Sequence, residues 1–135
     1  MIIIIKVKIV CCCHKQIDPK FAFDYILPAL AGAPADMKLE FQTAMEALID
    51  RSRSIHATLT MEDGYDVLVF IDDDIRFRAA DLYQLIREAE ARQTVVGCLY
   101  TKRKYPIELV GCPLDGPQDL QIGEAGSVRE VRYVG

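Results

Sequence analysis

Three consecutive carboxylates, Asp72, Asp73 and Asp74, follow directly on the apolar run Val67-Leu68-Val69-Phe70-Ile71. Like charges on neighbouring residues repel, so they sit comfortably together only where water or a divalent cation balances them. An apolar run of five rich in β-branched residues reads as a strand buried on both faces of a sheet, which leaves the carboxylates at its C-terminal edge. That edge is where ligands bind in open α/β sheets. The residue types and their place therefore point to cation chemistry at a strand end.

The elements that must position these carboxylates follow from periodicity. Ile2 to Cys13 is a strand, alternating through Lys6 and Lys8 before the fully apolar Ile9 and Val10. Asp18-Pro19 suits a helix start, with Asp as the cap and Pro at the first helical position; this helix carries Phe21, Tyr25 and Ile26 and is expected to stop near Pro28. Met37 to Phe41 alternates and predicts a second strand. Leu48, Ser52, Ile55 and Leu59 are spaced by four, three and four, which predicts a helix with those residues on its buried stripe, ended by Gly64. Val67 to Ile71 is the third strand, and the helix after Phe77 has Leu82, Leu85, Ile86 and Ala89 on one face. Thr94 to Tyr100 is expected to be a fourth strand, and Ser127 to Val134 a final one after a glycine- and proline-rich stretch. The order β-α-β-α-β-α-β predicts an α/β fold with a doubly wound, mainly parallel sheet, Rossmann-like and short.

At 135 residues the expectation is one domain. A net charge of −4 argues against a general nucleic-acid binder, so an anionic ligand needs a local basic cluster. Met1 to Ile5 is interrupted by Lys6 and Lys8 and lacks a small-residue cleavage site, so it reads as a strand and not as a signal sequence. No apolar run reaches the roughly 18 residues of a membrane span. The odd cysteine count and the absence of CxxC spacing favour reduced thiols and a cytoplasmic chain, and the Cys11 to His14 cluster lacks the separated pairs of structural zinc.

The segment VLVFIDDDIRF, Val67 to Phe77, resembles the strand and DxD motif of GT-A glycosyltransferases, in particular family 2-like members whose strand ends in "fiDxDi.f". Upstream, ALIDRSRS (Ala47 to Ser54) is similar to their "sl..aRN" helix start, with Arg53 as the matching arginine and Ser54 where Asn is more usual. Downstream, Val95-Val96-Gly97-Cys98-Leu99-Tyr100 is similar to their "ivgg.Y" strand, followed by Lys102, Arg103 and Lys104 where those proteins often have basic residues. DxD alone is a weak motif. Its specificity comes from the strand before it and the two flanking blocks.

The resemblance implies a GT-A-like domain that binds a nucleotide-sugar donor through Mn2+ or Mg2+ and transfers the sugar to an unknown acceptor. It implies metal binding by Asp74 and Asp72, with Asp72 also reaching the ribose or the metal's water shell. Nucleotide-sugar contacts would come from Asp72, Asp73, Arg53, His14 and Lys102. It further implies that Val131 to Gly135 begins a "yvGtGf" segment leading to an acceptor-binding half, so the chain corresponds to the donor half. The catalytic base is expected beyond the motif blocks, where Glu108, Asp115, Asp119 and Glu124 are equivalent candidates. Bland readings stand beside these: the aspartates as helix caps or a solvated loop, Arg51 and Arg53 as a solvated helical face, Lys102 to Lys104 as an exposed loop, His14 as an exposed histidine, and His56 as structural. Two other functions fit the same residues, a non-catalytic GT-A remnant or interaction domain and a Mg2+-dependent phosphoryl-transfer domain, the latter without a GxxxxGK[ST] loop. A strand exposed at the C-terminus would favour a homodimer.

Overall fold

The computed structural model describes residues 1–46 and 48–98, together with the backbone of Cys112–Pro113 and Val131–Tyr133. It divides into two compact units, Met1–Thr94 and Val95–Gly135. The first is built on a three-stranded parallel sheet in the order β2-β1-β3, with β1 at Ile5–Cys13, β2 at Met37–Met45 and β3 at Val67–Phe70.

β1 lies in the centre because its sequence tolerates burial on both sides. Val7, Ile9, Val10 and Cys11 are fully buried, and Cys13 nearly so. It pairs with β2 from Ile5↔Met37 to Cys13↔Met45, and with β3 from Val7↔Val67 to Val10↔Phe70. The expected strand begins at Ile2, whereas pairing begins at Ile5, because the first residue of β2 meets Ile5 and that of β3 meets Val7. Ile2, Ile3 and Ile4 pair with none of the described strands and are exposed. β2 runs past the predicted Phe41 to Met45, since Gln42 to Met45 find partners in Val10 to Cys13. Beyond Phe70, the Ile71 amide still donates to the Val10 carbonyl at 3.1 Å.

The first helical segment starts as its sequence predicts. Asp18 is extended (φ −62°, ψ 120°), its carboxylate accepts from the Lys20 amide at 3.0 Å, and Pro19 opens the helix α1, Pro19–Phe21. It then continues through a π-helical segment, Ala22–Ile26, into α2, Leu27–Ala31, and so passes the predicted stop at Pro28. A proline inside an α-helix lacks a donor and crowds the carbonyl four residues back, here Asp24. The wider π turn just before it, closed by the Leu27 amide on the Ala22 carbonyl, relieves that crowding.

α3, Ile49–Glu62, departs from its predicted stripe. Leu48, Ile55 and Leu59 are exposed, and the helix buries Ser52 and Thr60, with His56 between them half-buried. The buried face thus runs at i, i+4, i+8 through small and polar residues. Thr60 satisfies its hydroxyl by donating to the His56 carbonyl at 2.6 Å. Gly64 follows with φ +71°, the left-handed conformation that releases the chain toward β3.

α4, Ala79–Arg92, follows its pattern, burying Leu82 and Ile86. Tyr83 donates to the Ala29 carbonyl at 2.6 Å and so ties α4 to α2, while Arg87 grips Asp36 at 2.6 and 3.0 Å.

Helices cover both faces, and the direction of travel along the sheet reverses at β1, so the sheet is doubly wound. On one face Val7, Ile9, Met37, Val67 and Val69 pack with Ala29, Leu82 and Ile86. Residues of opposite parity point to the other face, where Cys12 meets Ser52 (Sγ–Oγ 3.6 Å) and Phe70 lies under Arg53, both from α3.

Thr94 to Cys98 form no strand, and Val95 is 90% exposed; Leu99 and Tyr100 lie outside the described residues. A strand needs a neighbour to bond, and none of the described strands pairs with this stretch. In the second unit β4, Cys112–Pro113, pairs antiparallel with β5, Val131–Tyr133, inside the predicted final strand. No described helix is long and apolar enough to cross a membrane.

Candidate functional site

Parallel strands bring everything that follows their C-terminal ends to one edge. Here that edge gathers His14 after β1, the first turns of α3 after β2, and Asp72 to Asp74 after β3.

The acidic residues occupy a tight turn, closed by the Ile75 amide on the Asp72 carbonyl at 3.2 Å. The turn splays two of the carboxylates toward different elements. Asp72 faces α3, with Oδ1 3.5 Å from Arg53 Nη2, and the Arg53 guanidinium lies 5.6 Å from the Phe70 ring centroid. Charge on one side and an aromatic face below hold this arginine over the sheet edge. Asp73 faces the opposite helix layer, and its Oδ2 accepts from the Asp18 amide at 3.1 Å. Asp74 lines a cleft of about 240 Å3 together with Asp73, Ile75 and Arg76 on one side and Asp18, Lys20, Phe21 and Tyr25 on the other.

An aromatic trio supports this cleft. Phe77 packs on Phe21 at 6.3 Å and on Tyr25 at 5.7 Å between centroids, and Phe21 and Ile26 seal the buried Cys11 beneath. Burial pushes the Cys11 thiol up to about 12, with Asp73, Cys13, Asp72 and Cys12 adding in the same direction. Cys13 is raised as well, first by burial and then by Asp73. Both are therefore neutral packing groups at ordinary pH, and Cys11, Cys12 and Cys13 are free thiols.

Of the residues singled out in the sequence, Asp72 and Arg53 touch, Asp73 and Asp74 line the cleft, and His14 stands exposed in the bend beyond β1. Lys102 and the candidate bases Glu108, Asp115, Asp119 and Glu124 lie outside the described residues. His56 is half-buried on α3. Lys20, Tyr25 and Arg76 line the cleft without having been singled out. Their signal was positional: once β1 and β3 pair directly, the residues that follow β1 must face the turn that follows β3.

Carboxylate oxygens are the hard donors that Mg2+ or Mn2+ prefer, so the chemistry of the turn fits such an ion. Among the described residues no group of three or more His, Cys, Asp or Glu side chains forms a ready-made cage. Comparison with protein-family models, curated proteins and solved structures finds no match for the chain.

Proposed function

We propose that the chain is a metal-dependent, GT-A-like glycosyltransferase domain that binds a nucleotide-sugar at the Asp72–Asp74 turn and transfers its sugar. One observation carries this reading: an acidic turn and the half-exposed Arg53 meet, 3.5 Å apart, at the C-terminal edge of a parallel sheet. Carboxylates there would hold Mn2+ or Mg2+ through Asp74 and Asp72, with diphosphate oxygens and water completing the ion's shell. Such an ion offsets the diphosphate charge and stabilises the departing nucleoside diphosphate. Arg53 presents a planar donor fork that suits a phosphate oxygen as well as it suits Asp72. His14, beyond the end of β1, would approach the nucleotide from the other side of the turn.

The test is calorimetric titration of UDP, GDP and their sugars with and without Mn2+. The expected outcome is binding that requires the ion and weakens by about tenfold or more in Asp74→Ala, since a carboxylate ligand is lost. Absence of nucleotide binding at every Mn2+ concentration would sink this reading and leave a non-catalytic domain.

A further inference from the structure

Three aspartates in a row need not share one task. The Asp72–Ile75 turn sends Asp72 toward α3 and its arginine, while Asp73 reaches the opposite layer, where its Oδ2 accepts the Asp18 backbone amide at 3.1 Å. Asp18 is itself committed, because its own carboxylate accepts the Lys20 amide at 3.0 Å and caps the helix start. Asp73 thus makes the first link of a short chain running from the acidic turn to the first turn of a helix, and Asp18 the second. The two walls of the cleft are the two segments it joins: Asp18, Lys20, Phe21 and Tyr25 on one side, Asp73 to Arg76 on the other. Phe77 against Phe21 and Tyr25 fixes the same walls from below.

We infer that Asp73 is a positioning residue whose carboxylate pins the start of the first helix to the acidic turn and so sets the width of the cleft that Asp74 lines. The pin needs an acceptor oxygen within reach of one amide, and a neutral oxygen supplies it too, though more weakly than a carboxylate. This separates Asp73 from Asp72 and Asp74, whose proposed part depends on their being anions. The inference rests on the proposed function only for its consequence on ligand binding; the pin itself can be read without any ligand.

The experiment compares Asp73→Ala with Asp73→Asn in the full chain, by amide hydrogen exchange resolved at Asp18 and Lys20. Loss of one hydrogen-bond acceptor should speed Asp18 exchange by about tenfold in Asp73→Ala, and Asp73→Asn should return most of that protection. Amides in β1 and α4 should keep wild-type rates in both variants, which shows that the fold is intact. Unchanged Asp18 exchange in Asp73→Ala, or equal acceleration in both variants, overturns the inference. A parallel titration with Mn2+ and UDP carries the consequence. Asp73→Ala should weaken binding by several-fold, Asp73→Asn should recover most of it, and Asp74→Asn should not recover it at all. If the wild-type chain binds no nucleotide while the exchange pattern appears, the functional reading fails and the pin stands.

Discussion

The two faces of the parallel sheet are built on different principles. On one, Val7, Ile9, Val67 and Val69 pack against Ala29, Leu82 and Ile86 in a continuous apolar layer. On the other, α3 approaches through Ser52 and Thr60, and the sheet offers Lys8, Glu40 and Cys12 beside Val10 and Phe70. There Tyr65 donates a short hydrogen bond to Glu40, and Lys8 lies 5.3 Å from the Tyr65 ring centroid. Apolar burial is the main term that stabilises a fold, so the first face holds the molecule together. The second face contributes less to stability, and it carries Arg53 to the sheet edge.

Substitutions can break this contrast. Ile86→Ala, at a side chain with no exposure, should cost about 2 to 5 kcal/mol in denaturant unfolding. Leu59→Ala on α3, 45% exposed, should cost under about 1 kcal/mol. Equal losses would mean that α3 packs as tightly as α4 and that the contrast is false.

Ser52 tests how close α3 must come. It is 1% exposed against Cys12, so Ser52→Leu should cost about 1 to 3 kcal/mol by overpacking, whereas Ser52→Ala should stay under about 1 kcal/mol. A neutral Ser52→Leu would show that the helix can lift from the sheet at little cost.

The faces should also differ in where pH touches them. Cys11, on the apolar face, ionises near 9.0 when unfolded and only near 12 when folded. The unfolded chain therefore loses this proton first as pH rises, and the Cys11 contribution to stability, constant below about 9, should fall between 9 and 12. Cys11→Ala should flatten that fall in pH-dependent unfolding. An unchanged slope in the variant would place the alkaline loss elsewhere.

Glu40, on the polar face, is held below its ordinary value of 4.5, first by the Tyr65 hydroxyl and then by Lys38. Its contribution is present above the unfolded value and is lost as pH falls through the depressed folded one. Tyr65→Phe should make the acid side of the stability profile shallower, a small effect because the pair is open to solvent. No change between pH 3 and 5 would mean that Glu40 gains nothing from the hydroxyl.

The legible parts of the sequence were those where local chemistry and global packing agree. Asp18-Pro19 caps a helix by local geometry alone, Leu82 and Ile86 face the core because α4 has one apolar stripe, and three aspartates cannot enter a buried strand. That placed the acidic turn at the sheet edge correctly. Illegible were the features set by a neighbour. The face α3 buries depends on the polar sheet surface beneath it, so the stripe of Leu48, Ile55 and Leu59 misled. Thr94 to Cys98 hold the β-branched Thr94, Val95 and Val96 that suit a strand but have no described strand to join. The pairing of Asp73 with Asp18, 55 positions apart, follows from the direct contact of β1 and β3, which periodicity does not encode.

The π-helical segment at Ala22–Ile26 has a consequence for how this chain tolerates length change. Residues five apart on an α-helix point about 140° away from each other, yet Phe21 and Ile26 are both buried in one cluster. The wider turn acts as a spare residue, absorbed without breaking the helix. A one-residue deletion within Ala22 to Asp24 has a regular α-helix as its natural product, with Phe21 and Ile26 then four apart and still on one face. Deletion here should be survivable where the same change in β1 would turn every side chain beyond it to the wrong side of the sheet.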